Sequence, residues 1–343
     1  MDERVFGDRP MPVSRLSYVE HPGVTALRDT VLLYRLERPD RAPLPVDVLR
    51  RRVTQAWQVW HRSRTRRADV AAILPALLVD CQDAASGHDG PERRPAHAVL
   101  AQAYQLTQHV LVNAAEPALM WLVVDRAMAA AQVADDPVAL AGAAWTVGMM
   151  LRSDGRPDDA LAIVGAAADL LVEALPDGDP EVLGMWGALQ LHAALTAGRA
   201  GRDGDAWAHW DRAETAIRRL PAGHAHPWTV FGRANVDLTA VSLTVDLWKS
   251  RDGLRRAAAL DPRDVPSRER RGRLFVEMAR GHHAVDERIA STRLLLAACD
   301  EGVDAVRFSP AARAIVEDLQ ERPPYAIRDD VTALAARVGL DPA

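Results

Sequence analysis

The chain has 343 residues, 48% of them apolar, enough to bury a sizeable core, while 21 Gly and 22 Pro fall well short of a disordered or collagen-like composition. Sixty-one alanines and 41 arginines stand beside one lysine and six isoleucines, so helix formers dominate and an all-β fold is disfavoured. Forty-two cations meet 47 carboxylates for a net charge of −5, which argues against a chain that coats itself in nucleic acid.

Residues 1–23 are mixed and Pro-containing, and read as an irregular lead-in. A short apolar segment over 24–36 follows, then a loop over 37–45 marked by three prolines. From 46 to 63 the apolar residues Val46, Leu49, Val53, Trp57 and Trp60 step by three and four, which predicts an amphipathic helix. A second helix is predicted from about 68 to 85, with Val70, Ile73, Leu74, Leu77, Leu78 and Cys81 on one face. Residues 24–94 are thus read as N-terminal packing helices, closed by a loop over 86–95.

Beyond that loop the pattern changes. Segments 95–115, 137–151 and 182–198 contain no Asp, Glu, Lys or Arg, and each is followed by a break and a normally charged helix. A helix without charge on any face is usually buried between layers. The breaks align as Ala115-Glu-Pro, Gly155-Arg-Pro and Gly201-Arg-Asp, and the residues after them repeat as Met120/Val124/Ala127, Ala160/Val164/Ala167 and Ala206/Trp210/Ala213. Weaker copies pass through Gly253/Ala257/Leu260 and Ala290/Leu294/Ala297. The expected fold is all-α, an α-solenoid of tetratricopeptide-like helical hairpins over 95–322. A C-terminal segment over 323–343 is expected to add a short capping helix.

On these stretches the chain resembles the C-terminal tetratricopeptide-repeat sensor region of helix-turn-helix transcriptional regulators of high-GC bacteria. The resemblance is carried by Ala56-Trp-Gln-Val-Trp-His-Arg-Ser63, Leu74-Pro-Ala-Leu-Leu-Val-Asp80, Leu100-Ala-Gln-Ala-Tyr-Gln-Leu106, Ala118-Leu-Met-Trp-Leu-Val-Val-Asp-Arg-Ala127 and Val306-Arg-Phe-Ser-Pro-Ala-Ala-Arg313. Such regulators begin with a DNA-binding head; residues 1–24 are too short to hold one, so DNA binding through this chain alone is not expected. The resemblance implies a sensing role in transcriptional control, with a small-molecule or peptide effector in the concave groove. A constitutive protein–protein adaptor of the same fold is the alternative, and a protein partner or a homodimer belongs to either expectation.

The family geometry places the first helix of each hairpin on the concave face. Projected onto this sequence, the lining comprises Gln105, His109 and Asn113 from the first unit and Trp145, Met149 and Arg152 from the second. Leu191, Leu195 and Arg199 come from the third, and Asn235, Phe275 and His282 from the weaker two. Arg152 and Arg199 end otherwise uncharged helices, where a guanidinium either forks onto a ligand carboxylate or complements the helix C-terminus.

Other constellations yield less. Arg50, Arg51, Arg52, Arg62, Arg64, Arg66 and Arg67 flank Trp57 and Trp60, and read as a solvated face with the tryptophans turned inward rather than a nucleic-acid patch. His224/His226 and His282/His283 lack a third ligand and any HExxH pattern, so no metal is expected. Residues 198–204 carry three glycines but no Lys-Ser/Thr, which makes them an inter-helix turn and not a phosphate loop. With no nucleophile–base pairing in sight, neither an enzyme nor a cofactor is expected. Cys81 and Cys299 lie far apart without CxxC spacing, which excludes a disulfide scaffold and fits a reducing compartment. With no secretory signal and no long strongly apolar run, a cytoplasmic protein without membrane contact is expected.

Overall fold

The computed structural model describes residue 19, residues 21–34 and residues 42–340, so most of the predicted lead-in lies outside the described residues. Among them every regular element is helical. The chain runs through α1 (Gly23–Val31), α2 (Val46–Arg62), α3 (Arg66–Gly87), α4 (Arg93–Leu111), α5 (Pro117–Ala134), α6 (Pro137–Ser153), α7 (Pro157–Leu171) and α8 (Pro180–Arg199). It continues through α9 (Asp203–Ile217), α10 (Arg233–Asp246), α11 (Ser250–Ala258), α12 (Arg268–Ala284), α13 (Arg288–Glu301), α14 (Asp304–Arg307), α15 (Pro310–Glu321) and α16 (Arg328–Val338).

The starts of these helices are written in the sequence. Asp136 and Asp179, each followed by proline at the first helical position, accept backbone N–H bonds from Ala139 and Glu181 at 2.7 and 2.8 Å. Ser309 does the same for Ala312, ahead of Pro310. The ends follow a common rule in four hairpins. Arg156, Arg202, Lys249 and Glu287 each donate a backbone N–H five residues back, to Leu151, Ala197, Thr244 and His282. The residue before each donor is left-handed: Gly155 at φ 72°, Gly201 at 73°, Trp248 at 61° and Asp286 at 62°. This is one Schellman turn used four times.

Consecutive helices pair as α4/α5, α6/α7, α8/α9, α10/α11 and α12/α13, and α2/α3 pair in the same way. The predicted packing helices therefore include one more hairpin of the series. The first members form an inner row: α2, α4, α6, α8, α10 and α12 touch in succession. The charge-free segments 95–115, 137–151 and 182–198 are α4, α6 and α8 of this row, and α8 is buried along most of its length. Alanines and glycines let the rows approach closely: a Cβ on Gly148 would stand 2.6 Å from Val164 of α7 and 3.0 Å from the His192 ring of α8.

The row does not stay open. α12 returns to α2, where the Ser267 hydroxyl lies 3.3 Å from His61 Nδ1. The backbone N–H of Arg67 reaches Asp304 at 3.2 Å, and the Asn113 amide donates to the Phe308 carbonyl at 2.8 Å. The start of the last hairpin thus lies against the turn of the first. The inner row, expected to leave an open concave groove, instead returns on itself through the contact of α12 with α2. The loop over 218–232, between α9 and α10, folds inward as well. Its Trp228 is buried in the N-terminal core, and its Phe231 fits over Gly187 of α8. The C-terminal helices α13–α16 form a second core with Val276, Ile315, Leu319 and Leu334.

α3 is a helix long and apolar enough to cross a membrane by length and composition, although half of that stretch is buried against its neighbours.

Candidate functional site: an aromatic and cationic interior

The inner row presents a ladder of rings across four helices. Trp57 on α2 lies 5.0 Å from the His109 ring of α4, edge to face, and His109 stacks on Trp145 of α6 at 5.2 Å. Trp145 in turn meets His192 of α8 at 6.3 Å. Trp60 closes on His109 from the other side at 5.9 Å. Such ring pairs are worth about 0.5–1.5 kcal/mol each beyond the area they bury.

Charge sits beside the ladder. Asp246 of α10 accepts from Arg280 of α12 at 2.7 Å and lies 3.5 Å from Arg199 of α8. Arg280 also pairs with Glu277 at 2.5 Å. Glu269, at the start of α12, pairs with Arg270 at 3.2 Å, and Arg270 donates to the Thr229 carbonyl of the inturned loop at 3.1 Å. Burial alone would raise the Glu269 carboxyl, but Arg270, Arg66 and Arg273 outweigh it and hold it at about 2. Burial likewise works against the Asp246 carboxylate, and Arg280 and Arg199 overcome it. The histidines go the other way. Burial pushes His61 and His109 down to about 4, and His192 well below its ordinary value with help from Arg152 and Arg199.

Arg152 differs from Arg199, Arg270 and Arg280, which have carboxylate partners. It donates to the His192 carbonyl at 3.5 Å and to Thr196 Oγ1 at 3.3 Å, both through Nη1. Its Nε is cut off from solvent without an acceptor, and among the described residues no carboxylate forms an ion pair with it. Burial, then Arg199 and Arg273, pull its pKa well below the usual arginine range. His192 Nε2 is also buried without a partner, as are Trp57 Nε1 and Gln105 Nε2. His109 and Arg152 are walled in by protein, yet both keep some accessible surface. The inner row therefore brings together rings, orphan donors and a cation without an ion pair, with His109, Trp145, Met149 and Arg152 only half-buried.

The residues proposed from sequence divide accordingly. His109, Trp145 and Arg152 come together in the interior, with Met149 half-buried on α6 beside them. Gln105 is buried, its amide pressed against Gly142 of α6. Arg199 borders the interior but is paired with Asp246. Leu191 and Leu195 belong to the packed cores between α8 and its neighbours. Asn113 is exposed and holds the Phe308 carbonyl, a closure contact. Asn235 is half-buried on the first turn of α10. Phe275 packs against the C-terminal core, and His282 pairs with Glu287 at 2.5 Å beside the α12–α13 turn.

The projection missed His192, Asp246, Glu269, Arg273 and Arg280. In α8 the true inner face is His192/Thr196/Arg199, one residue round from the leucines, and a lone histidine in a charge-free helix was the available signal. In α12 the spacing Glu269/Arg273/Glu277/Arg280 marked the face. The basic cluster also needs correction. Arg50, Arg51, Arg62 and Arg64 are exposed as expected, but Arg66 and Arg67 are buried, with Arg67 4.0 Å from the Phe308 ring and both over Trp60. Those two cannot join a surface patch.

An open depression of about 460 Å³ on another face is bordered by Trp207, Thr244, Lys249, Asp252, Arg255 and Arg256. Its cations are already engaged: Lys249 with Asp203, Arg255 with Asp252, and Arg256 over the Trp207 ring. Among the described residues no group of three metal-ligating side chains occurs.

No protein-family model and no curated protein matches the chain. Among solved structures, it is similar to BtubC from P. vanneervenii, with 14% identity over 82% of this chain and 92% of that one, at a TM-score of 0.35. A likeness that loose carries no argument for fold or function.

Proposed function

We propose that this protein is a ligand-sensing regulatory protein built of tetratricopeptide-like hairpins, acting in transcriptional control, which binds a small effector in the interior enclosed by its inner helices. The observation that carries this reading is the unsatisfied interior: Arg152 Nε and His192 Nε2 are buried without partners beside a stacked, half-buried His109–Trp145 pair. Buried polar groups in native folds are nearly always satisfied, and unsatisfied ones that border a space are suited to a ligand. The closed circuit supports a small effector over the adaptor reading, because an adaptor needs an open surface to seat a partner chain. Ligand contacts to α6 and α8 would change how α12 and the inturned loop sit against α2, which is the route by which occupancy would reach a partner. No catalytic role is proposed: Glu269, Asp246 and Glu277, the buried carboxylates of the interior, are each engaged by an arginine.

The test is thermal unfolding of the purified protein against a panel of metabolites and short peptides. Effectors should raise the midpoint of the wild type and not that of Trp145→Ala. A panel that shifts neither protein, or both equally, removes the reading.

A further inference from the structure

The interior has a sign of its own. Around Asp246 stand Arg152, Arg199, Arg273 and Arg280, and against them the interior sets Asp246, Glu277 and, beside Arg273, a Glu269 that also answers Arg270 and Arg66. In a chain of net charge −5 this interior is nevertheless cationic. Two of its guanidiniums are explained by ion pairs to Asp246, those of Arg199 and Arg280. Arg152 is not. Its Nη1 bonds to α8 use neutral oxygens at 3.3–3.5 Å, longer than charge-assisted contacts, and its Nε faces nothing that accepts. A buried cation without an anion is a large desolvation cost, and a fold keeps one at the expense of stability unless a counter-charge arrives.

The surroundings define that counter-charge. Arg152 and the His192 ring sit on facing sides of the α6–α8 contact, with Nε of one and Nε2 of the other both unpartnered. Trp145, two turns before Arg152 on the same face of α6, meets the His192 ring at 6.3 Å and stacks on His109. A flat hydrophobic surface thus adjoins a two-donor anion seat. We infer that the interior takes a small aromatic carboxylate, its carboxylate on Arg152 and His192 and its ring against Trp145. His192 donates through Nε2 once the anion stands beside it, because a negative charge there favours the protonated ring that the neighbouring arginines now oppose. Gly148 makes the seat possible, since any larger residue would push the His192 ring out of position.

The inference rests on the sensing reading and narrows it to one class of ligand. Its test uses the full-length protein and three probes, benzoate, 1-naphthoate and indole-3-acetate, with the corresponding alcohols as neutral counterparts, titrated by calorimetry and by tryptophan fluorescence. At least one carboxylate should bind at least tenfold more tightly than its alcohol. Arg152→Met should lose that tenfold preference while keeping an unfolding midpoint at or above the wild-type value, because the unpaired cation has gone. If an alcohol binds as tightly as its acid and Trp145→Ala abolishes it, the anion seat is wrong while the sensing reading stands. If none of the probes binds, or if Arg152→Met lowers the midpoint by several degrees, Arg152 is a structural cation and the inference fails.

Discussion

Trp248 is 66% exposed and holds a left-handed backbone conformation at φ 61°, in the turn position that Gly155 and Gly201 occupy in the equivalent hairpins. A side chain bearing a Cβ loses about 1–2 kcal/mol there, and an exposed indole returns little of it through burial. Trp248→Gly should therefore stabilise the protein by about 1 kcal/mol, read as a higher urea midpoint at unchanged slope. A lower midpoint would mean that the indole makes contacts its exposure denies. The contrast also marks a limit of sequence reading at this scale. Gly155 and Gly201 announce their turns because glycine has few other reasons to sit there. Trp248 and Asp286 make the same turn against their own preference, and only the neighbouring hydrogen bonds reveal it.

At the scale of elements, α4, α6 and α8 are legible from sequence because an uncharged helix can only be covered on all sides. α12 shows why that rule misses the rest of the inner row. Its face carries Glu269, Arg273, Glu277 and Arg280, which look solvated in sequence, yet Glu269 and Glu277 pair with Arg270 and Arg280 of α12 itself, and Arg280 also reaches across to Asp246 of α10. Charge forbids burial only when it is unpaired, and although the spacing on α12 marks one face, the Asp246 that meets Arg280 from α10 cannot be read from α12 alone. The inturned loop is hidden for a related reason. Residues 218–232 carry proline, glycine and histidine and read as a surface connection, but Trp228 is only 6% exposed and its carbonyl accepts from His61 Nε2 at 3.1 Å. Val230 in the same loop holds φ 56°, a strained state for a β-branched residue that only a tightly packed segment sustains. Trp228→Ala should cost about 3–5 kcal/mol in chemical denaturation, as for an aromatic residue of a true core. A surface linker would lose less than about 0.5 kcal/mol, and that result would put the loop outside the core.

For the molecule as a whole, closure of the helical circuit gathers histidines that an open array would leave wet. His61 and His109 are pressed down to about 4 and His226 to about 3, all by burial first. His109 faces Trp57 and Trp60 of α2, Trp145 of α6, and the charges of Glu269, Arg270 and Arg67, which leave it neutral. The consequence for stability has a definite direction. Above about pH 6.5, the ordinary histidine value, these rings are neutral in both folded and unfolded chains and cost nothing. As the pH falls below that value the unfolded chain takes up protons that the folded one refuses, so stability drops until the folded pKa is reached. Each ring contributes up to about 1.4 kcal/mol per pH unit, so these three, with His192 that burial also holds well below its ordinary value, should remove about 5 kcal/mol between pH 7.5 and 5.5. Glu269, held at about 2, loses its own contribution only at lower pH. Urea denaturation at the two pH values measures the difference, and His109→Gln should shrink it by about a quarter. Equal stability at pH 7.5 and 5.5 would mean that water reaches these rings freely, and with it the enclosed interior on which the ligand reading depends would fall.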